Sequence, residues 1–231
     1  KNIIRKDNLV LGFVFIMLCS PFVNAFSESI ISFFLLFFLN FILETYQKEH
    51  PFSQVFNAAI IISILSFIFP NLLFLILLIL ISGINYSNLN LRNLCVSCIG
   101  LITPYLLYFV YTFLFDKPFI SPNFETLKII NLPYIHELKI SKIIWLSILI
   151  IISLISFIEL FQWLYKKSIR SRKSFLIIFF YFLLSTLLII FGGLKSWYFL
   201  MTPLCVIIGN YFTYTKNKKI GNFLFLLFII S

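Results

Sequence analysis

The chain has 231 residues, 61% of them hydrophobic and only 11% charged, and its mean hydropathy of +1.05 excludes a soluble domain wrapped around one core. Its net charge of +10 calls for no nucleic acid, because basic loops facing anionic lipid account for it. The alternation of a transmembrane barrel is absent, so the expected class is all-α: a polytopic transmembrane helical bundle of eight or nine helices, one domain over 1–231, several helices short or kinked.

Apolar runs bounded by charge fall at 9–25, 29–43, 55–69, 71–85, 93–115, 143–165, 174–191, 198–213 and 221–231. The start reads in two ways. Basic residues from Lys1 to Lys6, an apolar stretch to Leu18 and then Val23-Asn24-Ala25 suit either a secretory signal with its cleavage site or a first membrane helix. Whether 9–25 and 29–43 both cross fully is open at this level. Residues 55–85 are mostly apolar, with Pro70 and Asn71 as the interruption, and form either a tight helical hairpin or one tilted, kinked helix. Pro104, in the middle of 93–115, removes a backbone donor and is expected to kink its helix.

Orientation comes from the loop Tyr165–Ser174, which holds Lys166, Lys167, Arg170, Arg172 and Lys173. Short loops rich in Lys and Arg stay in the cytoplasm. Counting crossings from there puts the N-terminus, 44–54, 86–92 and 214–220 on the same side, and the loop 116–142 in the periplasm. Thirteen of the 18 Lys and Arg then lie inside, leaving Lys117, Lys128, Lys139, Lys142 and Lys195 outside. One helix more or fewer would set the cations of 216–219 beside the long loop, and the count favours the hairpin at 55–85. The expected location is a bacterial inner membrane.

Chemistry-bearing residues are few. Cys95 and Cys98 have the spacing of half a zinc or redox site, but no second such pair exists, and small residues three apart on a membrane helix suit packing. His50 and His136 fall on opposite sides and cannot share a metal; neither a metal nor another cofactor is expected. Glu159, in FIELFQW, is the one ionisable group well inside a run; a hydrogen bond to Gln162, or reach toward the basic loop, suits it better than an ion-relay role. The loop 116–142 carries three prolines, and its part 123–142 can lie on the membrane as an amphipathic segment. Carboxylates on the outer side are Glu28, Asp116, Glu125 and Glu137, and Lys195, in GGLKSWYF, stands among aromatic residues. A general base and a cation are the minimum for moving a sugar from a polyprenyl phosphate.

The order FPNLLFLILLILISGINYSNLNLRNL, an apolar run with an IG..TP step, and a late K.WYFL..PL.V....YF resembles an uncharacterised Bacteroidota multi-pass inner-membrane family, domain of unknown function 6427. The resemblance covers most of the chain and implies no established activity. The segment Lys195–Pro203 is also similar to the late segment of integral-membrane polyprenyl-dependent glycosyltransferases. That similarity implies a lipid-phosphate contact for Lys195 and a catalytic acid in an early external loop, for which Glu28 is the candidate. Such enzymes carry a longer first loop with two acids, whereas about three residues separate the runs here. Two readings therefore stand. The first is a cell-envelope membrane component that contacts lipids and other membrane subunits; the second is a glycosyltransferase taking a polyprenyl phosphate-linked sugar.

Overall fold

The computed structural model describes residues 9–19, 26–118, 140–165, 167–192, 196–215 and 218–230. Among them the secondary structure is entirely helical: α1 (Leu9–Cys19), α2 (Phe26–Leu43), α3 (Phe52–Ser66), a 3₁₀ segment (Pro70–Leu75), α4 (Ile76–Asn85), α5 (Leu91–Leu114), α6 (Ile140–Leu164), α7 (Ile169–Gly192), α8 (Tyr198–Tyr214) and α9 (Lys218–Ile230). Each helix falls on one of the apolar runs, with ends moved by a few residues. The rest of the first run, beyond Cys19, lies outside the described residues. The amphipathic stretch expected at 123–142 lies mostly outside the described residues.

Three helices, within α5, α6 and α7, are long and apolar enough to cross a membrane. Their 24 or 25 residues rise about 36 Å at 1.5 Å per residue, against a hydrocarbon core of about 30 Å. The others are shorter. The 11 residues of α1 rise about 17 Å by the same measure.

The chain divides into two compact units, one of Ile3–Ser29 with Ile129–Ser231 and one of Ile30–Lys128. In the second unit, 55–85 is a hairpin and not a single kinked helix. Phe69 is extended (φ −132°, ψ 96°), and Pro70 opens the 3₁₀ segment, where its missing donor and fixed φ do no harm. The chain then returns: Asn88 Nδ2 donates to the Thr45 carbonyl at 2.8 Å, and the rings of Tyr46 and Tyr86 meet edge-on at 5.1 Å. Residues on both sides of the hairpin are thus back at one end.

Helix α5 runs parallel to α3, held by small and hydroxylated residues. Ser63 Oγ donates to the Leu101 carbonyl (2.6 Å), Ser66 Oγ and Tyr105 OH share a hydrogen bond (2.6 Å), and Phe67 packs on Tyr105 with centroids 4.5 Å apart. Gly100 allows the close approach, since a Cβ there would meet Ala59 Cβ at 2.8 Å. Cys95 and Cys98 are exposed, and it is Ser97 and Gly100, two positions on from each, that face inward. The expected packing role of the cysteines is therefore corrected by the phase of the helix. Helix α5 continues through Pro104 to Leu114.

The other unit is built round α8. Every residue from Tyr198 to Tyr211 is buried, as expected for a helix apolar on all sides. Helices α1, α6, α7 and α9 all pack on it. Relative directions follow from the bonds. Trp197 and Cys205 reach the carbonyls of Leu18 and Leu11 (3.1 and 3.3 Å), so α1 is antiparallel to α8. Ser185 Oγ donates to the Phe199 carbonyl (3.0 Å), and Tyr181 lies against Thr202, so α7 is antiparallel too. Trp145 meets Trp197 at the start of α6 and α8, and Glu159 meets Thr215 near their ends; these two helices run parallel. Phe212 against Phe225 and Trp145 against Phe228 set α9 antiparallel to both.

Candidate functional site

One end of the α8-centred unit brings Trp145, Trp197 and Tyr198 together with Glu28. Trp197, just ahead of α8, donates its indole N–H to the last turn of α1 at the Leu18 carbonyl. Its ring is edge-on to that of Trp145 in α6, with centroids 5.8 Å apart, and Trp145 tilts against Phe228 at 6.3 Å. Both indoles are buried. Amphipathic aromatic rings of this kind concentrate at membrane interfaces.

Glu28 sits in the first turn of α2, not in an interhelical loop as the transferase similarity implied. The sequence places only about three residues between the runs there, and the structure gives them to the helix, where a carboxylate interacts favourably with the helix dipole. Glu28 is half-buried and interacts electrostatically with Tyr198. Tyr198 follows Lys195 by three residues. Lys195 itself, the expected lipid-phosphate ligand, lies outside the described residues. So does His136, with Glu125 and Glu137.

Among the described residues the arrangement therefore brings together the carboxylate of Glu28, the phenol of Tyr198 and the indoles of Trp145 and Trp197. Trp145 and Tyr198 are functional candidates that charge counting did not reach. A signal for Trp145 was present: it and Trp197, two of the chain's three Trp, stand at the starts of their apolar runs, where an aromatic belt is expected.

The opposite end of the same unit is basic. Lys167 sets its ammonium 5.6 Å from the ring centre of Tyr214, bringing the loop between α6 and α7 beside the connection from α8 to α9. Lys218 and Lys219 are exposed in the first turn of α9. Glu159 Oε1 accepts a hydrogen bond from Thr215 Oγ1 at 3.4 Å; of its two expected settings, Gln162 or the basic loop, the bond to Gln162 is replaced by one to the residue that caps the parallel helix, which the sequence alone does not bring near.

Elsewhere, His50 is exposed and stacks on Phe52 with centroids 5.5 Å apart. Among the described residues no three His, Cys, Asp or Glu come together in a way that would hold a metal ion.

Comparison with curated proteins and with solved structures found no match. A family model does match, over residues 2–231. On that match, which takes in almost the whole chain, the protein belongs to the Family of unknown function (DUF6427).

Proposed function

We propose that this chain is a multi-pass component of a bacterial inner membrane, with its N-terminus and the loop 166–173 in the cytoplasm and the loop 116–142 in the periplasm. The observation that carries the reading is the pattern of helix directions around α8. Alternate crossings require α1, α7 and α9 to run one way and α6 and α8 the other, as their bonds do. They also require the two basic connections of this unit to share an end, and Lys167 stands beside Tyr214. Trp145 and Trp197 meet at the opposite end.

Its role in this reading is packing against lipid and other membrane subunits. Helix α5 supports it: Ile99, Ile102, Leu107, Phe109 and Phe113 are each more than half exposed, on a helix whose apolar window is 11% buried. A surface of that size is stable in lipid or under a partner, not in water.

The test is cysteine accessibility in spheroplasts, with the four native cysteines replaced by serine. A single Cys at Lys128 should react with a membrane-impermeant maleimide before lysis, and one at Lys173 only after it. Early labelling at 173 would overturn the orientation.

The Glu28–Tyr198 interaction, three residues from Lys195, favours a second reading: transfer of a sugar from a polyprenyl phosphate, with Glu28 as base and Lys195 on the phosphate. Glu28→Gln and Lys195→Ala would then each abolish a glycan product while the protein stays in the membrane. Unchanged glycans in both variants would sink this reading and leave the first.

A further inference from the structure

At the basic end of the α8-centred unit, α6 and α7 part to form an open groove of about 410 Å³. Its walls are apolar, with Phe157, Phe161 and Leu164 from α6 facing Leu176 and Phe179 from α7, and buried Ile207 of α8 as the floor. The volume lies in the roughly 300–1,000 Å³ range of sites that take small molecules, and the lining suits hydrocarbon.

Among the described residues one charged side chain lines the groove, and it is a cation. Arg172, in the first turn of α7, is exposed. Its backbone N–H bonds to the Ser168 carbonyl, whereas its guanidinium has no hydrogen-bond or ion-pair partner among the described residues. Glu159, on the same stretch of α6, accepts a hydrogen bond from Thr215 Oγ1 and makes no ion pair with Arg172 among the described residues. Lys167, Arg170 and Lys173 stand within five positions along the chain, so the mouth of the groove carries a positive potential. An apolar groove with a guanidinium at its mouth matches a molecule with a hydrocarbon tail and a phosphate head.

We infer that the groove binds an acidic glycerophospholipid of the cytoplasmic leaflet, with an acyl chain between α6 and α7 and its phosphate at Arg172. The inference rests on the membrane reading above. Charge complementarity selects the occupant: a zwitterionic lipid brings its own cation to the cationic mouth, and an acidic one does not.

The experiment reconstitutes the full chain in nanodiscs of equal phosphatidylglycerol and phosphatidylcholine and reads retained lipid by native mass spectrometry. Membrane retention after an alkaline wash of cells is measured alongside it. The wild type should retain phosphatidylglycerol in preference. Arg172→Gln should reduce that preference about fivefold, the weight of roughly 1 kcal/mol for one cation at an anionic surface. Arg172→Lys should keep most of it, and Lys218→Gln, in the other basic segment, should keep all of it. Leu176→Trp, at a position 42% exposed, fills the slot without disturbing the core and should lower retention with Arg172 intact. Equal losses in the Arg172→Gln and Lys218→Gln variants would overturn the site in favour of a diffuse basic field. So would full retention in the Leu176→Trp variant. A chain that survives the wash but shows no lipid preference overturns this inference alone, while a chain released by the wash overturns the membrane reading on which it rests.

Discussion

Gly100 and Gly12 show how the same residue type matters or does not according to what faces it. A Cβ on Gly100 would stand 2.8 Å from Ala59 Cβ and 3.0 Å from the Phe56 carbonyl oxygen, both on a neighbouring helix that has no room to give. Gly100→Val should therefore destabilise the α3–α5 pair by about 1–3 kcal/mol, the usual size of overpacking, read as a shift in the unfolding midpoint when SDS is titrated into mixed micelles. Nothing lies within 4 Å of the corresponding atom on Gly12. Gly12→Ala should be neutral or stabilising by up to about 1 kcal/mol, since alanine loses less backbone entropy in a helix. Trp197 makes a third case, because its indole N–H joins α8 to α1 through a buried hydrogen bond. Trp197→Phe keeps a ring beside Trp145 but leaves the Leu18 carbonyl without that donor, and should cost about 1 kcal/mol in the same titration. A loss no greater than in a surface control would show that the bond contributes nothing.

At the scale of elements, α3 and α5 are joined by hydroxyl groups in an otherwise apolar contact. The Ser66–Tyr105 pair can be weighed by a double-mutant cycle with Ser66→Ala and Tyr105→Phe. A coupling of about 0.6 kcal/mol is expected, typical of hydrogen bonds between membrane helices; a coupling of zero would leave Phe67 and the small residues as the whole of the join. The helices themselves were legible because each apolar run is bounded by charge, Pro or Asn, and hydrocarbon leaves the backbone few alternatives to helix. Their faces were not legible. Hydropathy is nearly uniform round most of these helices, so Cys95 and Cys98 read as packing positions when the helix phase turns them outward and Ser97 and Gly100 inward. Partners across helices were hidden for the same reason: nothing local to Glu159 announces Thr215, 56 positions away. The hairpin at 55–85 was reached by counting charges, a long-range constraint that local pattern does not carry. Of the candidate site, Glu28 was legible as one of four carboxylates that charge counting assigns to one side, whereas its neighbour Tyr198 required the fold.

For the whole molecule, charge distribution is the quantity that fixes orientation, and it is concentrated. Changing Lys166, Lys167, Arg170, Arg172 and Lys173 to Gln removes the largest group of cations from one connection. If that connection sets the orientation, a reporter Ser168→Cys in a cysteine-free chain should become reactive from outside in a measurable fraction of molecules. Retention of full protection would mean that the remaining basic segments suffice. In the same way the exposed apolar surface of α5 belongs to the molecule as a whole. Two or three Ser substitutions among Ile102, Leu107 and Phe113 should leave the α3–α5 contacts intact while changing the assembly state seen by crosslinking in native membranes, and an unchanged pattern would assign that face to lipid alone.

The burial of α8 on every side has a consequence for the order in which the protein is made. The bond from Trp197 to Leu18 spans 179 positions, so α1 leaves the ribosome long before the helix that covers it. At about 5–20 residues per second that interval is on the order of ten to forty seconds. The segment Ile30–Lys128, by contrast, contains its own partners in sequence and can close as it emerges. Synthesis thus passes through a stage in which the middle of the chain is assembled while its first helix waits, and a ribosome arrested before residue 198 leaves α1, α6 and α7 without the helix that holds them together. Nascent chains stalled at successive lengths should show α1 protected from crosslinking to insertion factors only once α8 has been released.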